Sequence, residues 1–360
     1  MFIGEAVIFD IFAFVIVVSI IVLIHEFGHF IVAKKMGVKV EKFSLGFGPK
    51  IMGRKFGETE YVVSALPLGG YVKMLGEDSD EKLSPEDEKR SFNNLSPFKR
   101  FLIVFSGPAF NFIFAIIILS IVFSFGKPVL RSVVGSVIKN DPAASAGLKK
   151  GDVITSINGK KIWKWSSLAN YLQLYGKKPV TLGITHARKS FFVRVKPKLI
   201  TGVNMLGQKA KRYVIGIYPS NKTKYVYTNI FNAFWFAVKE TWFIIKITAI
   251  SIGLLIARKI PVSDLGGPVM IAQLSGTAAS LGLSPFFYFI AIISVNIGLI
   301  NLFPIPALDG GHLLFNIVEM IRRKPLSVKF QENASKLGFA LLILLLLFIT
   351  YNDILRITKI

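Results

Sequence analysis

The feature that most constrains this chain is an apolar run that contains two histidines and a glutamate. The run covers Val7 to Ala33, long enough for a helix that crosses a bilayer, and includes the pentapeptide HEFGH at residues 25–29. Residues four apart share a helix face, so both histidines can direct a ring nitrogen at one tetrahedral ion. Glu26 lies about 100° round the helix, where it can act as a general base. The alternative is a packed pair of histidines, one of them bonded to the glutamate.

Composition indicates a polytopic membrane protein with room for one extramembrane domain, because 52% of the 360 residues are hydrophobic. No cysteine is present, so a metal ion must be held by histidine and carboxylate. The formal net charge is +23, with Lys and Arg in every polar segment and no interleaving of aromatic and basic residues. This pattern argues against nucleic acid as a partner and favours attraction to anionic membrane lipid.

Four segments have the length and apolar character of membrane spans. They are Val7–Ala33, Phe101–Phe125, Phe286–Phe303 and Leu337–Tyr351. A fifth apolar segment, from Trp235 to Ala257, carries three charged residues, which are Lys239, Glu240 and Lys246. An amphipathic helix at the membrane interface accommodates these charges at lower cost than a span, so we predict an interfacial helix there.

Short basic stretches beside the predicted spans identify the cytosolic side. Lys34-Lys35, Lys99-Arg100 and Arg322-Arg323-Lys324 all fall on one side of the predicted topology, and the positive-inside rule assigns that side to the cytosol. No basic n-region or small-residue cleavage site accompanies the first apolar run. We therefore expect this run to be a span rather than a cleavable signal peptide.

A second motif supplies a third candidate metal ligand. The stretch NLFPIPALDGGH, residues 301–312, directly follows the third predicted span, and its two prolines forbid a regular helix. Irregular backbone at membrane depth is tolerated only where it is buried in protein or lines a cavity. Asp309, on a permissive turn with two glycines, can complete a set of two histidines and one carboxylate for Zn2+. Asp309 can alternatively cap a helix, and the rival ligand His312 is expected to support a ligand rather than bind the ion.

These residues resemble the site-2 proteases, a family of intramembrane zinc metalloproteases, and within it the regulator of sigma-E protease branch. The resemblance rests on HEFGH (25–29), FSLGFGP (43–49), PLGGYVKM (67–74), SGPAFN (106–111), a PDZ-like module and NLFPIPALDG (301–310). It implies that His25, His29 and Asp309 bind Zn2+, that Glu26 activates the water, and that Asn301 bonds the substrate backbone. The best-known enterobacterial relative carries two tandem PDZ modules, whereas this chain has room for one.

Residues 40–50 and 60–74 alternate in polarity around several glycines, which is typical of β-hairpins. By resemblance, the first hairpin re-enters the membrane. An edge of this sheet beside the zinc could receive an unwound substrate strand through main-chain hydrogen bonds, and we expect Gly46 and Gly48 to contact the substrate. A cytosolic sheet without a substrate role is the alternative. Asn111 is expected to pack helices together rather than to neighbour the active site.

Residues 127–200 resemble a PDZ domain. The resemblance rests on VGSV (134–137), DPAASAGL (141–148) and KGDVITSING (150–159), which predict a strand, a short helix and a hairpin. PDZ folds accept an extended peptide or a C-terminal carboxylate along a sheet edge, and a steric gate is the alternative role. His186 is predicted to be an ordinary surface residue.

The predicted fold is a polytopic α-helical membrane protein of about four spans, with a re-entrant β-hairpin sheet and one extramembrane PDZ-like α+β domain. The predicted segments are a first transmembrane helix (1–36), a cytosolic or re-entrant β region (37–97), a second transmembrane helix (98–126), the PDZ-like domain (127–200), a linker with an interfacial helix (201–284), a third transmembrane segment (285–320), a cytosolic loop (321–336) and a fourth transmembrane helix with the C-terminus (337–360).

By resemblance, the expected activity is zinc-dependent hydrolysis of peptide bonds inside the transmembrane segments of single-span proteins whose ectodomains have been trimmed. Anti-sigma factors and remnant signal peptides are examples of such substrates. The expected location is the bacterial cytoplasmic (inner) membrane, with the active site near the cytosol and the PDZ-like domain outside it. A transporter is disfavoured because no inverted repeat relates the two halves. A silent PDZ scaffold would not need His25, Glu26, His29 and Asp309 together.

Overall fold

The computed structural model describes residues 3–77, 83–187, 189–203, 209–261 and 266–358. Two compact units are present: a membrane unit, Met1–Val122 with Ile230–Ile360, and a β-rich unit, Phe123–Asn229. In chain order the elements are α1 (Ile3–Lys35), β1 (Val40–Phe56), β2 (Thr59–Met74), α2 (Pro85–Glu88), α3 (Pro97–Ser124), β3 (Lys127–Leu130), β4 (Val134–Val137), α4 (Pro142–Ser145), β5 (Val153–Ile157), β6 (Lys160–Lys161), α5 (Trp165–Tyr175), β7 (Val180–His186), β8 (Lys189–Val195), β9 (Lys198–Val203), β10 (Lys209–Val214), β11 (Ile217–Pro219), β12 (Thr223–Val226), α6 (Ile230–Ile256), α7 (Pro268–Ser280), α8 (Leu283–Asn301), α9 (Asp309–Arg322) and α10 (Val328–Thr358).

Among the described residues of the membrane unit, four helices are long and apolar enough to cross a bilayer. They are Gly4–Lys35, Pro97–Ser124, Leu283–Asn301 and Val328–Arg356. Each overlaps one of the four spans predicted from the sequence, and most of their surface outside the helix contacts is apolar, as lipid requires. The chain is therefore an integral membrane protein.

Helices of the membrane unit approach one another closely where glycine faces a neighbouring helix. A Cβ built at Gly28 of α1 would lie 2.5 Å from the carbonyl oxygen of Ser106 in α3. One built at Gly298 of α8 would lie 3.1 Å from the Cβ of Asn111. Lipid is as apolar as these helices, so close packing around small residues, rather than the hydrophobic effect, brings α1, α3 and α8 together.

Helix α6 covers the segment predicted to lie in the interface, but it runs alongside α8. Glu240 accepts a hydrogen bond from the Tyr288 hydroxyl (2.7 Å), and Thr248 donates one to Asn296 (2.8 Å). The two contacts are eight residues apart on both helices and in the same direction, so the helices are parallel over about 12 Å. Among the described residues, α6 is not one of the helices long and apolar enough to span a membrane, so the interfacial helix stays a prediction.

Strands β1 and β2 form a curled sheet rather than a simple hairpin. Residues 42–45 of β1 pair with residues 60–63 and also with residues 70–73 of β2, while residues 50–56 pair with residues 59–64. Several register shifts interrupt the pairing, as expected where a strand bends strongly. The segment at residues 70–74 therefore forms one outer edge of the sheet.

The turn between β1 and β2 is tied to the end of α1. Glu58 in this turn lies 2.6 Å from Lys34 and 2.8 Å from Arg90, measured between the charged atoms. The hydrogen bond from Lys34 holds the pKa of Glu58 below its ordinary value, so the carboxylate stays charged at neutral pH. These contacts fix the sheet against the helix that carries HEFGH.

The described residues of the β-rich unit form a four-stranded sheet in the order β6-β5-β7-β8 and three two-stranded pairs, β3 with β12, β4 with β11, and β9 with β10. Its own apolar core includes Ile154, Leu168 and Leu182, all fully or almost fully buried. Because β11 and β12 pair back onto β4 and β3, the unit extends to Asn229 rather than ending at the predicted residue 200. His186 is exposed, as predicted, and its Nδ1 lies 2.5 Å from the buried carboxylate of Asp152.

Candidate active site

His25 and His29 lie one turn apart on α1, and both side chains are buried. Their rings meet edge to face at 82°, with centroids 4.9 Å apart and the two Nε2 atoms 3.3 Å apart. The Nδ1 atom of His29 lies 2.9 Å from the carbonyl oxygen of Ile103 in α3. That carbonyl can only accept a hydrogen bond, so the proton of neutral His29 is on Nδ1 and Nε2 keeps its lone pair.

Asp309 comes from the opposite end of the membrane unit's sequence. It is the first residue of α9, and its Oδ2 lies 3.0 Å from Nε2 of His25 and 3.5 Å from Nε2 of His29. The three candidate ligand atoms are all within 4.8 Å of one another. The predicted ligand set is therefore brought together by the fold.

These residues fit a metal ion better than they fit a metal-free cluster. The Oδ2 atom of Asp309 is buried and receives no hydrogen bond of ordinary geometry from any residue that the structure describes. A buried carboxylate oxygen without such a partner is costly unless a cation neutralises it. Two imidazoles and one carboxylate are a common ligand set of catalytic Zn2+, with a further position left open.

Two glycines after Asp309 allow the loop and the helix to pack closely. A Cβ at Gly310 would lie 2.0 Å from the carbonyl oxygen of Phe303, and one at Gly311 would lie 2.4 Å from Cα of Pro306. Neither glycine has a positive φ, so the expectation of a permissive turn is wrong. The N-cap of α9 is Leu308, and Asp309 is thus not a capping residue. The irregular segment at residues 302–308, predicted from the two prolines, is present between α8 and α9.

Helix α3 closes the site from a third side. A Cβ at Gly107 would lie 2.3 Å from Nε2 of His29 and 2.9 Å from Cε1 of His25, so only glycine leaves room for the two rings. Asn111, one turn further along, is fully buried, and its Nδ2 lies 3.2 Å from Nδ1 of His25. Asn111 also packs against Gly298 of α8. The expectation that it only joins helices was therefore too narrow, because it contacts a candidate metal ligand directly.

The amide of Asn111 can settle which nitrogen of His25 carries the proton. Its Oδ1 atom is buried without a hydrogen-bond partner among the described residues. A metal ion on Nε2 requires the proton on Nδ1, and that N–H then needs an acceptor. Rotating the amide by 180° supplies Oδ1 as this acceptor, since either end of an asparagine can face a partner.

A cavity of about 510 Å³ opens from these ligands. Its walls include Glu26, Asn301 and His312, and the Nδ2 atom of Asn301 is 3.4 Å from Nε2 of His25. The outer edge of the sheet, at residues 69–72, forms another wall, and the backbone of Val72 is hydrogen-bonded to Glu26. The candidate base, the candidate ligands and a sheet edge therefore line the same cavity.

Gly46 and Gly48 are not among the residues that line this cavity. Both have positive φ, +92° and +86°, and they lie where β1 bends. A Cβ at Gly46 would lie 2.7 Å from the carbonyl oxygen of Leu66, within the sheet itself. These glycines therefore shape the sheet, whereas Phe47, Gly69 and Gly70 reach the cavity.

Proteins of similar sequence support the assignment of a metal site. The model of "Peptidase family M50" matches residues 13–345. Three similar proteins come from Campylobacter jejuni (36% identical, covering 96% of this chain and 93% of that protein), Agrobacterium fabrum (36%, 95% and 94%) and Clostridium acetobutylicum (35%, 96% and 97%). Each of the three is named a "putative zinc metalloprotease".

A solved PDZ domain of an SdrC-like protein from Listeria monocytogenes is 25% identical, covering 24% of this chain and 84% of its own, at a TM-score of 0.20 that is too low to assign a fold. The family match spans most of both units, and the relatives are matched along nearly their whole length. The chain therefore belongs to peptidase family M50, the site-2 proteases, as its motifs predict.

Proposed function

We propose that this protein is an intramembrane zinc metalloprotease that hydrolyses peptide bonds within transmembrane segments of single-span membrane proteins. One observation carries the proposal: His25, His29 and Asp309 converge on one point, although two of them lie within a helix apolar enough to span a membrane. Ionisable residues at such depth are costly and mark functional sites. Family membership supports the same activity. A membrane scaffold without catalytic activity would not require these three side chains to lie together.

In the proposed mechanism, His25, His29 and Asp309 hold Zn2+. When bound, the ion acts as a Lewis acid that polarises a carbonyl and makes water a nucleophile near neutral pH. Glu26 takes the proton from the attacking water and later gives it to the leaving amine. Glu26 is half-buried in a cavity wall, beside the ligands but outside the ligand set, which suits this role.

The substrate is proposed to enter as an extended strand. A transmembrane helix hides its carbonyls in intrahelical hydrogen bonds, so the segment to be cut must unwind locally. The outer sheet segment at residues 70–74 lies beside the cavity and can pair with an unwound strand through its backbone. Asn301, in the same wall, can donate a hydrogen bond to the substrate backbone. The basic stretches near the span ends favour an active site close to the cytosol of a bacterial inner membrane.

The proposal is tested by co-expressing the protein with a panel of single-span membrane proteins whose ectodomains are trimmed, such as anti-sigma factors and remnant signal peptides. We expect cleavage of some members within their apolar segment, located by mass spectrometry of the products. The matched control is Glu26→Gln. Cuts found only in extramembrane segments, or equal cleavage with the control, would contradict the proposal.

A prediction about zinc affinity follows from the contact between Asn111 and His25. Asn111→Leu removes the acceptor for the Nδ1 proton of His25, and we expect zinc affinity to fall about 10 to 100-fold, as is typical when such a partner is lost. Asn111→Asp keeps an acceptor oxygen and should retain the zinc. The measurement is zinc content after competition with a graded series of chelators.

Ser120→Ala is the matched control for this pair, because it also removes a buried polar group from α3, away from the histidines. It should leave zinc affinity unchanged. If Asn111→Asp lost as much zinc as Asn111→Leu, packing rather than proton placement would explain the effect.

We further propose that the β-rich unit is a PDZ-like module that filters substrates by size. Replacing residues 132–221 with a flexible linker removes most of the unit but leaves β3 paired with β12 at its base. If the module excludes bulky ectodomains, this variant should cut untrimmed single-span proteins and still cut trimmed ones. If the module instead recruits substrate by strand addition, the apparent KM for trimmed substrates should rise, with no gain for untrimmed ones.

A further inference from the structure

The net positive charge of this protein is concentrated in one unit, although Lys and Arg occur in every polar segment of the sequence. The β-rich unit, residues 123–229, contains 20 Lys and Arg residues and two acidic residues, so its formal net charge is 20 minus 2, or +18 of the total +23. Both acids, Asp141 and Asp152, are buried and paired with Lys198 and His186. Every exposed carboxylate of the chain that the structure describes therefore belongs to the membrane unit.

Part of this charge forms a patch around an exposed tryptophan. The ammonium groups of Lys164 and Lys224 lie 4.9 and 5.8 Å from the ring centre of Trp163. Arg131 is bridged to Lys164 through the backbone, and its N–H donates to the carbonyl oxygen of Lys222 (3.0 Å). We call these four cations with Trp163 the basic patch.

The basic patch lies along the strand pair through which the chain enters and leaves the unit: Arg131 follows β3, and Lys222 and Lys224 lie just before and within β12. Two residues separate the end of α3 from β3, and three separate the end of β12 from α6. Six residues lie between the end of α3, a helix that can span the membrane, and Arg131, so an extended chain reaches at most about 25 Å from the helix end to this residue. The patch therefore comes within the Debye length of the headgroups, about 10 Å at 0.1 M salt, when the strand pair leans on the bilayer surface.

Aromatic side chains at the connections of the unit fit a membrane surface. Phe125, Tyr225 and Tyr227 lie on the two connections or beside them, and each exposes more than half of its surface. Tyrosine and tryptophan are enriched at the level of lipid headgroups, where an apolar ring and a polar group are both accommodated. Exposed lysine and arginine beside them are attracted to anionic headgroups.

We propose that the basic patch docks the β-rich unit on the surface of an anionic phospholipid bilayer. The headgroup phosphates neutralise Arg131, Lys164, Lys222 and Lys224, while Trp163 and the neighbouring tyrosines enter the headgroup layer. The partner is a lipid surface rather than an acidic protein segment, because six residues join Arg131 to a helix that can span the membrane, and the connections of the unit carry exposed aromatic side chains. This docking is independent of the proteolytic activity proposed above.

The test uses the full-length protein, which has no cysteine, so Asn221→Cys gives a single labelling site next to the patch. Energy transfer is measured from a fluorophore at this site to an acceptor on lipid headgroups, in nanodiscs of phosphatidylcholine alone or mixed with phosphatidylglycerol. We expect higher transfer efficiency in the anionic nanodiscs. This gain should disappear at about 1 M salt, where the Debye length is about 3 Å.

Two variants with equal loss of charge decide whether the patch is responsible. The patch variant combines Arg131→Gln, Lys164→Gln, Lys222→Gln and Lys224→Gln. The control variant changes four exposed lysines of the same unit, Lys149, Lys150, Lys177 and Lys178, to Gln. We expect the gain to be lost in the patch variant and retained in the control.

Equal transfer in the two kinds of nanodisc would overturn the proposal and leave acidic protein segments as the partner of these cations. Equal loss in both variants would overturn the assignment to this patch. Limited proteolysis of each variant checks that the β-rich unit remains folded.

Discussion

Glu26→Gln is expected to abolish cleavage of a transmembrane substrate while leaving about one zinc ion per chain, because the general base of such a site is not a ligand. The substitution keeps the shape of the side chain and removes only its ability to take a proton. General base catalysis typically contributes about 10² to 10⁴-fold, so turnover should fall by at least about 100-fold. The measurement pairs product formation with metal content of the same purified sample.

Glu5→Gln is the matched control, since it makes the same change on the same helix, about six turns away from Glu26. It should alter neither cleavage nor zinc. Full activity of the Glu26→Gln variant would contradict the assignment of Glu26 as the general base. Loss of zinc together with activity would instead make Glu26 a ligand and contradict the set of His25, His29 and Asp309.

The candidate metal ligands could be predicted from the sequence because their placement rests on local rules. Spacing of four residues puts His25 and His29 on one helix face whatever the rest of the fold does. Two prolines after a span predict an irregular segment. Irregular backbone at membrane depth is tolerated only where it lines a cavity or is buried in protein. From these two rules the sequence predicts that Asp309 binds the same metal ion as the two histidines.

The contribution of α3 could not be predicted in the same way. Gly107 and Asn111 contact the histidines across more than 75 residues of chain, and no local pattern encodes which helices become neighbours. A buried asparagine in an apolar helix is a signal that some polar partner exists, but it does not name the partner. The glycines after Asp309 were misread for a related reason: glycine serves close packing as well as turns.

The same limit applies to strand pairing and to domain boundaries. The sequence indicated strands at residues 40–50 and 60–74, but pairing of residues 42–45 with two different segments depends on long-range register. The β-rich unit extends to Asn229 because β11 and β12 return to β4 and β3, which lie about 80 to 100 residues earlier. Similarly, no local pattern identifies Tyr288 of α8 as the hydrogen-bond partner of Glu240 in α6.

Asp309→Asn is expected to lose both zinc and cleavage. The Oδ2 atom of Asp309 lies 3.0 Å from Nε2 of His25 and 3.5 Å from Nε2 of His29. A cation held between these atoms is stabilised by the negative charge of the carboxylate as well as by its lone pair. The amide keeps an oxygen but not the charge, so the Asn side chain is a much weaker ligand for Zn2+. Zinc stoichiometry and cleavage of a trimmed substrate are measured on the same preparations.

His312→Asn separates the ligand from its rival. His312 lines the same cavity but packs edge to face on Phe315 and is not part of the converging group. If it only supports a ligand, its loss should weaken zinc binding by about 10 to 100-fold and leave most of the zinc bound at saturating metal. Asp353→Asn, which alters a buried carboxylate that accepts hydrogen bonds from the N-terminus of α7, controls for loss of a buried charge and should keep its zinc. The opposite ranking of Asp309→Asn and His312→Asn would make His312 the third ligand, because only a ligand's removal empties the site when metal is in excess.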